Sequence, residues 1–198
     1  MPIERITFFE DNILCTVTST SSVVEQWISS IKRIHHRHLN NLIIGLDIEW
    51  RPNFRRGVNN PVAILQLCVG RRCLIFQILH CDRIPRSLLV FLNDRNYTFV
   101  GVGIEKDVDK LFQDYYLLVS GMKNLGFLAA EKLDRKELKR SGLKTLAWEV
   151  LGKELEKPQH ITLSHWDDYE LSYDQVHYAC IDAFVSFEIG RTLICEYD

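Results

Sequence analysis

The 198-residue sequence is short of several features that would have placed it quickly. Its six cysteines (Cys15, Cys68, Cys73, Cys81, Cys180 and Cys195) form no C-x-x-C pair, which excludes a zinc ribbon. Cys68 and Cys180 lie in apolar runs, where a reduced buried thiol is expected. No apolar stretch reaches bilayer-spanning length, so no membrane partner is expected. The opening MPIERITFFEDN carries charges where a secretory leader would be apolar. These absences lead to the expectation of a soluble intracellular protein, with the cytoplasm favoured and the nucleus left open. Charge of one sign is lacking too: a net charge of -2 and a pI near 6.4 exclude a polybasic, histone-like binder. They do not exclude nucleic acid, which a local basic rim can hold. Repeats, low-complexity segments and linkers are missing, so residues 1–198 read as one domain. Within it, strands and a helix over 1–40 precede a core over 41–198. With 46% hydrophobic and 25% charged residues, a chain of this size can bury a core.

What is present is ordered patterning. Residues 3–18 alternate enough for two short strands around Glu10-Asp11-Asn12. Val23, Val24, Trp27, Ile28, Ile31 and Ile34 then follow helical spacing. Ser19, Ser21 and Ser22 are candidate N-caps for that helix, and the His35–His38 cluster closes it. Strand-like runs follow at 42–48, 62–69, 73–79 and 98–104. The Gly70-Arg71-Arg72 turn predicts that the first three of these form an antiparallel meander. A helix near Arg86–Leu92 should precede the fourth. The second half reads as helical, including 143–151 ending at Gly152 and a last helix from about Tyr173 to Leu193. The fold class is therefore α/β, a mixed central sheet flanked by helices.

Acids end or interrupt three of the apolar runs, although an unpaired buried carboxylate is costly. Asp47 and Glu49, two apart in LIIGLDIEW, share one face of a strand. Leu46, Ile48 and Trp50 take the other face. Asp107 follows FVGVGI and starts a helix, where Gly101 and Gly103 permit close backbone approach. Tyr178 and Asp182 stand at i and i+4 on one helix face. Spread over most of the chain, the acids point to a shared divalent-metal site.

In order and spacing these clusters resemble the DEDD superfamily of 3′–5′ exonucleases on the ribonuclease H-like (DnaQ-like) fold. The resemblance covers roughly residues 40–195 and is carried by LDIEWRPNF with NPVAILQLCV, by GVGIEKDVDKL and by LSYDQVHYACIDAF. GLKTLAWEVLGKELEK looks like the helix these enzymes place between the last two motifs. The chain is most similar to the Werner-syndrome-type exonuclease domain and its small stand-alone plant relatives. The resemblance implies Asp47, Glu49, Asp107 and Asp182 as ligands of two Mg2+ or Mn2+ ions and Tyr178 as the water-orienting residue. It implies release of nucleoside 5′-monophosphates from the 3′ end of single-stranded RNA or DNA, with RNA favoured. It also implies a homo-oligomer, a hexameric ring among the forms, and a silencing-complex protein as partner. A DNA exonuclease and a catalytically silent scaffold are the alternative functions; retention of all four acids and the tyrosine counts against the scaffold.

The superfamily divides by whether a tyrosine stands four residues before the last acid or a histidine stands five before it. Both His177 and Tyr178 are present. Ser172-x-x-Gln175 reads as a capping box, so the helix is already regular at 177. At about 100° per residue, Tyr178 lies about 40° and His177 about 140° from Asp182. Tyrosine is chosen. Arg51 and Asn53 are candidate contacts to the terminal nucleotide, with His177 a further nucleic-acid contact. The basic segment 132–144 is read as a solvated helical face, the 35–38 histidines as a solvated helix end, and Trp50 as core. His165-Trp166 is expected in a loop lining the cleft, with Asp167 and Asp168 as loop acids.

Overall fold

The computed structural model describes residues 3–37, 39–53, 57 and 59–195. Alternation at the start produces two strands, β1 (Ile3–Phe8) and β2 (Asp11–Thr18). Helix α1 (Ser21–Ile34) follows, burying Val24, Trp27, Ile28 and Ile31 on one stripe. The apolar runs of the middle become β3 (Leu42–Glu49), β4 (Ile64–Val69) and β5 (Arg72–Phe76). Then come α2 (Arg86–Leu92), β6 (Tyr97–Gly101), α3 (Ile104–Tyr115) and β7 (Met122–Asn124). The chain ends in α4 (Leu125–Lys132), α5 (Leu143–Leu151), the single turn α6 (Gln159–Thr162) and the long α7 (Tyr173–Cys195).

Among the described residues, seven strands form one sheet in the order β1-β2-β5-β4-β3-β6-β7. The β3–β4–β5 meander is antiparallel, as the Gly70 turn predicts, while β6 pairs parallel with β3 and β5 parallel with β2. Both faces are covered. Leu42, Ile44, Leu46 and Ile48 of β3 pack with α1 and α2, and the odd-numbered positions face α7. Gly45 permits that second contact: a Cβ there would lie 2.1 Å from the Ala183 carbonyl oxygen. The helix therefore lies directly on the central strand, one turn from its acids.

Several boundaries differ from the sequence expectations. No serine side chain caps α1: Thr20 takes the N-cap, and the Ser21 amide and hydroxyl both engage Asp82, 61 residues away. The run 73–79 stops as a strand at Phe76 and turns into a 3-10 segment at Ile78–His80. Asp107 does not start its helix. Gly103, at φ +70°, is the N-cap, so Asp107 sits at the end of the first turn. The basic segment 132–144 is not one helical face: between the end of α4 at Lys132 and the start of α5 at Leu143 it holds a short 3-10 turn, Lys136–Arg140, anchored by buried Leu138. Trp166 is fully buried and its indole N–H donates to the Thr162 carbonyl, so it is core and does not line a cleft. β7 and α6 are too short to show a period. His38 lies outside the described residues.

Candidate active site

The three acidic motifs converge at the carboxyl end of β3. Extended geometry places Asp47 and Glu49 on one face, and α7 crosses that face with Asp182. Carboxylate oxygens of Asp47, Glu49 and Asp182 all lie within 4.8 Å of one another. Asp107 stands outside that close group, but its charge still acts on Asp47 and Glu49. Gly101 makes its approach possible, since a Cβ there would meet the Leu46 carbonyl oxygen at 2.7 Å.

Crowding of like charge in a dehydrated place sets the electrostatics. Burial first, and then the charges of Asp182 and Asp107, hold the Asp47 carboxyl well above the usual range. Glu49 is raised well above its ordinary value by burial and then by Asp47 and Asp182. Asp107 is pushed up to about 7, chiefly by burial and then by Glu105. Asp182 is also raised by burial, against the opposing pull of Lys157. A cluster of carboxylates that costs this much to ionise is a ready receptor for hard divalent cations, which take oxygen ligands. The Oδ1 atom of Asp182 is buried and has no hydrogen-bond partner, which fits a position kept for an ion.

One participant is not among the residues the sequence singles out, although it ends the GLKTLAWEVLGKELEK stretch, whose helix stops at Leu151. Lys157, in the loop between α5 and α6, donates to Asp182 Oδ2 at 2.6 Å, and its ammonium lies 5.3 Å from the centroid of the Tyr178 ring. Burial works against its charge, but Asp182, Tyr178 and Asp47 together raise its pKa above the ordinary lysine value. Only the loop's fold over α7 brings it there.

The helix start that the phase argument assumes is present. The capping box is formed in both directions: the Ser172 N–H donates to Gln175 Oε1 at 2.9 Å, and the Gln175 N–H to Ser172 Oγ at 3.2 Å. Tyr178 is buried beside Asp182, accepts from the Thr162 hydroxyl, and has its own pKa pushed up to about 12 by burial and then by Asp182. His177 has its ring 5.9 Å from that of Tyr173 and lines the same cavity as Tyr178 and Asp182. Arg51 is paired with Asp167 at 3.1 Å, and Asn53 accepts from the Asn60 N–H, so both are engaged by groups outside the acid cluster. Trp50 is partly buried under the Lys110 ammonium.

A mixed sheet with a helix laid on its central strand and acids gathered at the crossing forms a site whose oxygen ligands could hold divalent cations. Comparison with known proteins identifies the family. Residues 15–196 match the model of the 3′–5′ exonuclease domain, and the chain belongs to that family. An Arabidopsis thaliana 3′–5′ exonuclease is 40% identical over 152 residues, 76% of this chain and 52% of that protein. The human exonuclease 3′–5′ domain-containing protein 2 is 33% identical over 94% of this chain and 30% of its own length. The chain thus spans about half or less of these curated relatives. Among solved structures, the EXD2 exonuclease domain soaked in Mn and GMP superposes with a TM-score of 0.53 at 29% identity, covering 91% of this chain and 89% of that one. Escherichia coli RNase D superposes with a TM-score of 0.76 at 17% identity over 93% of this chain and 45% of its own, a likeness of fold. The fold is ribonuclease H-like.

Proposed function

We propose that the chain is a metal-dependent 3′–5′ exonuclease that shortens single-stranded nucleic acid, RNA by preference, to nucleoside 5′-monophosphates. The observation that carries the reading is the meeting of Asp47, Glu49 and Asp182 within 4.8 Å, from strand and helix segments over 130 residues apart. These three acids, with Asp107 opposite, would hold two Mg2+ or Mn2+ ions. The solved EXD2 domain was itself soaked in Mn and in Mg. Bound there, the ions would supply Lewis-acid stabilisation of the phosphodiester and a more acidic attacking water.

The chain's own residues do the rest. Asp182 is fixed by Lys157, which keeps the carboxylate aimed and partly offsets the local negative charge. Tyr178, packed against Trp166 and Thr162, has few ways to move, so its hydroxyl is placed to orient water beside Asp182. The high pKa of that hydroxyl keeps its proton on, which makes it a hydrogen-bond donor to the water and not a base. The RNA preference, a homo-oligomer (a hexameric ring among its forms) and a silencing-complex partner rest only on the resemblance of the motifs to small stand-alone plant relatives.

The deciding experiment incubates end-labelled RNA and DNA strands of matched sequence with Mg2+ or Mn2+, comparing wild type with Asp47→Ala. Mononucleotides released from the 3′ end by wild type alone are expected, faster from RNA. Equal degradation by both proteins, or by neither, would overturn the assignment.

A further inference from the structure

A cavity of about 620 Å³ opens beside Asp182 and Tyr178. Its walls are Tyr178, Asp182 and His177 of α7, the 154–158 loop with the start of α6, and the tip of the β1–β2 hairpin at Phe8 and Phe9. The hairpin tip is built in a particular way. Phe9 is a non-glycine residue at φ +51° and is 55% exposed, so both its backbone and its side chain are in unfavourable settings for a phenylalanine. Phe8 braces its ring edge-on at 4.9 Å. The Lys153 ammonium sits 5.5 Å from the Phe9 ring and is itself tied to Glu10 at 2.9 Å and Asp11 at 3.2 Å. The turn is therefore locked, with the Phe9 side chain in the cavity wall and the Lys153 ammonium over its ring. It also precedes the residues matched by the exonuclease family model, which begin at 15.

We infer that Phe9 is a stacking platform for one unpaired nucleobase of the substrate strand, upstream of the nucleotide being removed. This inference rests on the exonuclease reading. The occupant follows from the chemistry of the walls. The size suits a ligand of one or two nucleosides. Glu154, Glu156 and Asp174 line the same cavity and repel phosphate, so it is the base that turns inward. A base offers an uncharged π-face of any identity, and stacking on an aromatic ring selects unpaired bases without selecting sequence. A base inside a duplex has both faces taken, so the platform discriminates in favour of single strands.

The test measures binding of fluorescently labelled ten-nucleotide single strands, with Ca2+ as the cation. An abasic residue is placed in turn at each of the last four 3′ positions. Three proteins are compared: wild type, Phe9→Asn and Phe9→Tyr. Asparagine tolerates the left-handed backbone, so Phe9→Asn removes the ring while keeping the turn. Wild type is expected to lose roughly five- to a hundredfold in affinity at one upstream position. Phe9→Asn should lose a similar factor on the intact strand and show no further loss at that position, and Phe9→Tyr should behave as wild type. The inference is overturned if Phe9→Asn binds the intact strand as wild type does, or keeps the full abasic penalty at every position. Digestion of the same strands in Mn2+ separates the two readings. A wild type that cuts while Phe9→Asn shows no binding defect removes the platform alone. A wild type that neither cuts nor binds removes both.

Discussion

Replacing Gly45 by alanine tests the link between packing and chemistry. The new Cβ would stand 2.1 Å from the Ala183 carbonyl oxygen and 2.7 Å from the Phe187 amide nitrogen, whereas ordinary contact begins near 3.4 Å. The obstacle is backbone on a buried 23-residue helix, so no side-chain rotation relieves it. Either α7 retreats from β3 by about 1.3 Å or the strand bends by as much. Overpacking of this kind costs about 1–3 kcal/mol, and the backbone obstacle puts this case at or above the upper end. For a chain of this length that is a fall of about 6–12 °C in Tm. Ala183 adjoins Asp182, so the retreat also moves one acid away from Asp47 and Glu49. A displacement near 1 Å costs about a hundredfold in rate. The assays are thermal unfolding followed by circular dichroism and calorimetric titration with Mn2+. Gly45→Ala should melt early and bind Mn2+ more weakly. A variant with unchanged Tm and unchanged Mn2+ affinity would refute the claim that this glycine sets the spacing of the acids.

Three further outcomes are expected. Tyr178→Phe should lower kcat by about 10²–10⁴-fold, and His177→Ala by less than tenfold; the reverse order in single-turnover hydrolysis would show the helical-phase argument to be wrong. Lys157→Met should lower the melting temperature of the metal-free protein by about 3–10 °C, because Asp182 loses its partner while remaining buried. That range is discounted for the lysine side chain's 33% exposure, and Lys157→Arg should recover most of the loss. Finally, raised acid pKa values mean that the folded metal-free protein holds protons that the unfolded chain has released. For Asp107 the cost sets in above the unfolded value of 3.8 and is complete above about 7, so metal-free stability falls as pH rises through that window. Metal binding must displace those protons, so the rise in Tm produced by Mn2+ should be larger at pH 8 than at pH 6; equal rises would contradict the raised values.

Much of the architecture is written locally. Alternation in 3–18 and the Gly70 turn specify hairpins, and the 143–151 stripe ends at Gly152 in the left-handed conformation that a helix C-terminus favours. Ser172 and Gln175 fix the start of α7, and with it which of two neighbouring side chains faces Asp182. Asp47 and Glu49 share a face because strand geometry allows nothing else. Each of these follows from backbone periods and caps that depend only on nearby residues.

The remaining features come from distant contacts. Ser21 looks like a helix cap by sequence but turns to Asp82 across the fold. Trp166 looks like a cleft residue but fills the core between α6 and α7. Lys157 stands in an aperiodic loop, 25 residues before Asp182, and nothing about its neighbours announces an ion pair. The sequence by itself determined most of the strands and longer helices and the faces on which the acids stand, because those depend on chain geometry within a few residues. Tertiary structure alone decided how closely the acids approach, which cation faces them, and where the Phe9 turn meets the cavity. Those distances depend on how β3 and α7 pack, and on loops whose paths are settled only once both faces of the sheet are covered.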